Sequence, residues 1–161
     1  MKLTEPFAFR DTAGTVWQVP AGAIVNGASI PRALWTLVGP PFVGDYRRAS
    51  VVHDYFCLTK SRPSREVHRM FYEASIVDGT DPKQAAVMYA AVRRYGPRWR
   101  RARHMERPRA NARDTPDFYW ETSPLRTREF DEAEFDAMAA WIEATNPSRE
   151  EIDDYLAGLS Q

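Results

Sequence analysis

The chain has little cysteine: Cys57 is the only one in 161 residues. That excludes an intramolecular disulfide and any zinc cluster built on several cysteines, and it suits a reducing, cytoplasmic setting. No run approaches the roughly 18 apolar residues that a membrane-spanning helix needs, so no transmembrane segment is expected. Met1-Lys2-Leu3-Thr4-Glu5-Pro6 lacks the apolar core of a signal peptide. Net charge is missing too, because 22 Lys and Arg balance 22 Asp and Glu. With no helix-turn-helix or zinc-finger pattern either, dedicated nucleic-acid recognition is not expected. There is no internal repeat and no low-complexity tract. A hydrophobic share of 43% and a charged share of 27% are those of a folded protein. The length allows one core plus an appendage and is short for two cores.

The zero net charge hides an asymmetry. Arg93, Arg94, Arg98, Arg100, Arg101, Arg103, Arg107, Arg109 and Arg113 lie close together, with Glu106 the one acid among them. Beyond Asp114 acids dominate: Asp131, Glu132, Glu134, Asp136, Glu150, Glu151, Asp153 and Asp154. Either the acidic tail folds back over the basic segment, or the two ends face different partners. Arg98, Arg100 and Arg101, mixed with Trp99, are candidates for contact with phosphate or with a partner.

Periodicity gives a coarse map. Phe7-Ala8-Phe9-Arg10 and Thr15-Val16-Trp17-Gln18-Val19 flank the turn-forming Asp11-Thr12-Ala13-Gly14, which predicts a β-hairpin. Asn26-Gly27-Ala28-Ser29 is a loop suited to positive φ, and Pro31 and Pro40-Pro41 break the chain after it. Apolar spacing predicts three helices: one around Tyr46 to Phe56, one from Ser64 past Phe71, and one opening at Asp81-Pro82 and stopping at Gly96-Pro97. Arg100 to Arg113 is polar, carries Pro108 and lacks periodicity. Phe130, Phe135, Met138 and Ile142 mark a further helix, and Ser148-Arg149-Glu150-Glu151 is a capping box for a last one. The expected class is α+β: an N-terminal β-hairpin and loop packed on a three-helix core, with a C-terminal helical extension. The organisation read from this is a main domain over 1–100, an Arg-rich linker or arm over 101–116 and an acidic helical tail over 117–161.

His53-Asp54 is the chemical anomaly. The pair stands in Ala49-Ser50-Val51-Val52-His53-Asp54-Tyr55-Phe56-Cys57, an otherwise apolar helix. Burying either group costs several kcal/mol by order of magnitude unless it finds a hydrogen bond, a counter-charge or a metal. Successive helical residues point about 100° apart, so His53 and Asp54 can face different neighbours. His68 lies one turn into the second helix, beside its inward stripe.

Several of these motifs resemble a known family. The succession Val25-Asn26-Gly27-Ala28-Ser29-Ile30-Pro31-Arg32, Trp35, Gly39-Pro40, His53-Asp54-Tyr55, Phe71 and Gly96-Pro97-Arg98-Trp99 is similar to the phage-associated domain of unknown function numbered 1353, over about residues 5 to 100. The resemblance implies a phage or prophage origin, in the bacterial cytoplasm or on a virion, and promises no activity. A second, chemical resemblance is to bacterial phospholipases of the A-two type. It implies a hydrolase in which His53 activates water, His68 orients His53, and Asp54 binds a metal with Asn26 and Gly27. Asn26 and His68 stand where those enzymes carry carboxylates.

Two site chemistries follow. Hard oxygen ligands from Asp54 and the Asn26-Gly27 loop suit calcium, whereas His53, Asp54 and His68 make a three-ligand set for zinc. The purely structural reading is that Asp54 accepts hydrogen bonds from the 26–32 loop, His53 bridges two helices, Ser29 is a loop hydrogen bonder and Cys57 is inert core. For function the expectation is a metal-dependent, phospholipase-like hydrolase acting on an ester or lipid. The alternative is a non-catalytic phage accessory, assembly or tail-associated protein that binds a phage structural or host protein. An effector or anti-defence role is a third reading that no residue selects.

Overall fold

The computed structural model describes residues 1–27, 29, 44–105 and 118–159, with the backbone alone for 104, 105 and 118–120. The chain opens with strand β1 (Phe7–Arg10), antiparallel to β2 (Val16–Val19) with Phe9 opposite Trp17. Asp11 builds the turn: its Oδ1 accepts the Thr15 N–H at 2.8 Å and its Oδ2 accepts the Trp17 indole N–H at 2.8 Å, while Gly14 takes φ +84°. A side-chain carboxylate thus replaces part of the ladder and pins Trp17, which is fully buried.

Three helices follow, α1 (Arg47–Thr59), α2 (Ser64–Val77) and α3 (Pro82–Tyr95). Their ends explain their lengths. α1 lacks a cap from its own N-terminus, and Asp78 supplies one from the end of α2 by accepting the Ala49 N–H at 2.8 Å. Asp81 caps α3 through the Lys83 and Gln84 N–H groups, with Pro82 at the first helical position. α1 packs on α2 and β2, and α2 on α3. Trp17, Val52, Met70, Phe71, Met88 and Tyr89 form much of the core between them.

The C-terminal part departs from expectation. Residues 101–105 of the segment read as a linker or arm belong to strand β3 (Arg98–Met105), antiparallel to β4 (Phe118–Leu125). Backbone pairing, not apolar alternation, makes this ribbon, and Trp99 anchors its base by burying its ring and donating its indole N–H to the Arg62 carbonyl at 2.8 Å. The remainder of the segment, like the Pro31-Arg32, Trp35 and Gly39-Pro40 motifs, lies outside the described residues. Helices α4 (Glu132–Thr145) and α5 (Arg149–Gly158) both pack on α3, and the capping box of Ser148 and Glu151 is present. The class is α+β, as the sequence predicts. Among the described residues no helix is long and apolar enough to cross a membrane.

The acidic tail folds back on part of the basic run. Asp153 of α5 accepts from Arg65 and Arg69 of α2 at 2.9 and 3.1 Å, and from Tyr89 and Arg93 of α3 at 2.7 and 3.0 Å. Burial pushes its carboxyl pKa up, but the hydrogen bonds from Tyr89 and the arginines outweigh that and hold it well below the usual range. In α4, Glu134 receives both Arg94 and Tyr95; the Arg94 hydrogen bonds lower its pKa to about 2.

Candidate functional site

The site is built on α1, α2 and the loop after β2. In α1, Ala49, Val52, Phe56 and Cys57 are buried, and His53 and Asp54 are buried among them. The helix is enclosed on most of its surface, so both polar groups must be satisfied inside the protein.

Asp54 faces the loop as expected. Its Oδ2 accepts the N–H groups of Asn26 at 2.7 Å and Gly27 at 3.1 Å, and its Oδ1 accepts the Ser29 N–H at 3.3 Å. Gly27 takes φ +75°, a conformation that costs a side-chain-bearing residue free energy and that turns consecutive N–H groups toward one point. The loop therefore presents donors to Asp54, where a shared calcium would need carbonyl oxygens.

His53 faces α2, and the two imidazoles meet: His53 Nε2 lies 2.8 Å from His68 Nδ1. The other nitrogen of each ring is also engaged. His53 Nδ1 lies 3.2 Å from Ser29 Oγ, and His68 Nε2 lies 3.1 Å from the Pro97 carbonyl oxygen. Proton positions follow from this network by elimination. Pro97 O can only accept, so His68 carries its proton on Nε2. A neutral His68 then accepts at Nδ1, so His53 donates from Nε2. A neutral His53 accepts at Nδ1, so Ser29 donates its hydroxyl proton. Burial supplies the neutrality: it lowers the pKa of His53 to about 3 and, reinforced by His53 and the arginines at 93 and 98, pushes that of His68 well below its ordinary value.

Packing holds the rings. Phe71 lies 4.6 Å from His53 between ring centres, and Trp99 lies 6.3 Å from His68 at 64°. Cys57, one turn after His53, brings its Sγ to 3.7 Å from His53 Nε2. Its thiol is raised well above the ordinary value, by burial first and by the Asp54 charge second, so it is no ready nucleophile. His53, Cys57 and His68 place their ligating atoms within 4.8 Å of one another, close enough to hold a metal ion.

Of the residues singled out in the sequence, His53 and His68 meet, and Asp54 meets the backbone of Asn26 and Gly27. Arg98 stands apart, donating to the Arg126 carbonyl at 3.1 Å, Arg101 reaches the Ser61 carbonyl, and Arg100 is exposed. The Pro97 carbonyl was not foreseen; the Gly96-Pro97 helix stop is its only sequence signal. Gly96 is essential to that position, since a Cβ there would sit 2.3 Å from the Val92 carbonyl oxygen. Gly96→Ala should displace Pro97 and cost about 1–3 kcal/mol, read as a lower urea midpoint. An unchanged midpoint would show that the α3 terminus yields freely.

Comparison with known proteins gives a family and no activity. The profile described as "Protein of unknown function (DUF1353)" matches residues 1–92, and the chain belongs to that family. Two relatives from Sinorhizobium fredii (strain NBRC 101917 / NGR234) are similar to it. "Uncharacterized protein y4jT" is 48% identical over 98 residues, covering 61% of this chain and 29% of that protein. "Uncharacterized protein y4iH" is 37% identical over 97 residues, covering 60% and 41%. The chain thus matches less than half the length of either. No solved structure matches.

Proposed function

We propose that this member of the family is a hydrolase for an ester or lipid ester, with Ser29 Oγ as nucleophile and His53 as general base. One observation supports this reading above the others: the hydrogen-bond chain leaves an unprotonated His53 Nδ1 facing the Ser29 hydroxyl at 3.2 Å, a nucleophile and base held by a third group. As Ser29 Oγ attacks the carbonyl carbon, its proton passes to His53 Nδ1 and the carbonyl electron pair moves to oxygen. Collapse of that intermediate expels the alkoxide, which takes the proton from Nδ1. Water repeats the sequence on the acyl-serine, releasing the acid and restoring the hydroxyl. His68 is a positioning residue, and Asp54 positions Ser29 through its backbone N–H. A neutral imidazole stabilises the forming imidazolium less than a carboxylate would, and a buried base of low proton affinity favours substrates with good leaving groups.

The test is hydrolysis of nitrophenyl esters and phospholipid vesicles, with labelling by a fluorophosphonate. Ser29→Ala and His53→Gln should each lower turnover by about a hundredfold or more, and label should appear on Ser29 alone. With His53 held near 3, the profile of kcat/KM should stay flat well below the ordinary histidine range near 6.5. Folded wild-type protein that neither turns over these esters nor accepts label would sink the proposal.

A metal reading rests on the His53, Cys57 and His68 cluster. Its thiol donor suits zinc rather than calcium. Tetrahedral zinc would hold the two ligating nitrogens about 3.4 Å apart, whereas the 2.8 Å observed is the length of a shared proton. Stoichiometric zinc in protein purified without a histidine tag, lost in His68→Ala, would favour this reading over the proton chain.

A further inference from the structure

The arginines that converge on Asp153 are not neutralised by it. Arg65, Arg69 and Arg93 bring three positive charges to one carboxylate. Both Asp153 oxygens are occupied, Oδ1 by Tyr89 and Arg93 and Oδ2 by Arg65 and Arg69. Beside this cluster a cleft of about 150 Å³ is lined by Arg65, Arg93, Arg94 and Arg98, with Asp153 the one acid among the described residues that line it. Arg94 is spoken for by Glu134. Arg98 is not: its Nη2 donates to the Arg126 carbonyl, but its Nε is buried without a partner among the described residues. An unmet guanidinium donor costs free energy in an interior position and marks a place where an acceptor belongs. Arg98 also lines a larger cleft of about 490 Å³ with Arg126, Arg128 and Glu129, so cations surround it on both sides.

We infer that the cleft between α2, α3, α5 and the start of β3 is a phosphate-binding site, with Arg98, Arg93 and Arg65 as its ligands. The chemistry selects a compact anion of more than one charge. Guanidinium groups offer paired N–H donors that match the oxygens of phosphate, and the surplus positive charge left around Asp153 needs more than a monoanion to balance it. The site stands on residues other than the Ser29–His53–His68 chain. It borders the tail of that chain, because the Pro97 carbonyl that receives His68 immediately precedes Arg98.

Calorimetric titration of the full chain at constant ionic strength tests this, with inorganic phosphate and glycerol phosphate as probes and chloride as the reference. Saturable binding tighter than about 1 mM is expected. Arg98→Gln and Arg65→Gln should each weaken it by about tenfold, the value of one charge-assisted hydrogen bond. Arg48→Gln, which removes an exposed cation paired with Asp78 instead, should leave it unchanged. Tighter binding of glycerol phosphate would assign the site to an organic phosphate, and equal binding to the free ion. No saturable binding, or equal weakening by all three substitutions, would overturn the inference. So would association with phosphatidic acid vesicles in the absence of any soluble binding.

Discussion

Acidification from neutral pH to roughly pH 4.5 should cost the fold about 2–3 kcal/mol through His53 alone. In the unfolded chain His53 binds its proton near its ordinary 6.5, whereas in the folded protein burial delays that to about 3. Between those values the unfolded state holds more protons, so stability is full above 6.5 and falls with pH, by about 1.4 kcal/mol per unit, until the folded group titrates. His68, lowered in the same direction by burial and by His53, adds to the loss. The depressed carboxyls of Glu134 and Asp153 also stabilise the protein above their unfolded values and lose that contribution in acid. Their share falls chiefly below the ordinary carboxylate range near 4.5, so the interval above it isolates the histidines. Against a typical total of about 5–15 kcal/mol the effect is large. Urea midpoints at a series of pH values measure it, and a flat stability between 6.5 and 5 would show that the imidazoles are not neutral and buried together.

Asp153→Ala should destabilise the protein by about 3–5 kcal/mol, because it leaves the cations of Arg65, Arg69 and Arg93 facing one another around an uncompensated buried space. Tyr89 loses its acceptor at the same time. The carboxylate ties α5 to both α2 and α3, so the C-terminal helix should become the first protease-sensitive segment and its amides should exchange early. Asp153→Asn keeps one oxygen for Tyr89 and should recover part of the loss. A cost below about 1 kcal/mol for Asp153→Ala would mean that the arginines relax into solvent and that the pairing is surface-like.

These contacts were legible in the sequence to different depths. The first hairpin was readable because Asp11 to Gly14 is turn chemistry between alternating strands. The meeting of His53 and His68 and the pairing of Asp54 with the loop were implied by the phospholipase resemblance, and the angle between neighbouring helical residues allows one helix to serve both. β3 was hidden because half of its side chains are arginine: strand periodicity is visible only when one face is apolar, and the strand offers Trp99 at its base. The acceptor at Pro97 was invisible since every residue has a carbonyl. Asp153 carried a faint signal, an acid beside Ile152 and within one turn of Leu156 in a capped helix, which places it on the inward stripe. Nothing local, however, specifies three arginines from two other helices.

A carbonyl cannot donate, and that gives the buried chain from Ser29 to Pro97 an arrow. Turning the His68 ring over about its Cβ–Cγ bond would put Cδ2–H where Nδ1 accepts from His53 and Cε1–H where Nε2 donates to Pro97, so both hydrogen bonds would be lost. The same turn of His53 would undo its pairing with His68 and with Ser29. Neither ring can therefore turn over without breaking both of its hydrogen bonds. Each imidazole is held through both of its nitrogens in a fully buried position, so its turning over waits on opening of the helices that carry the pair.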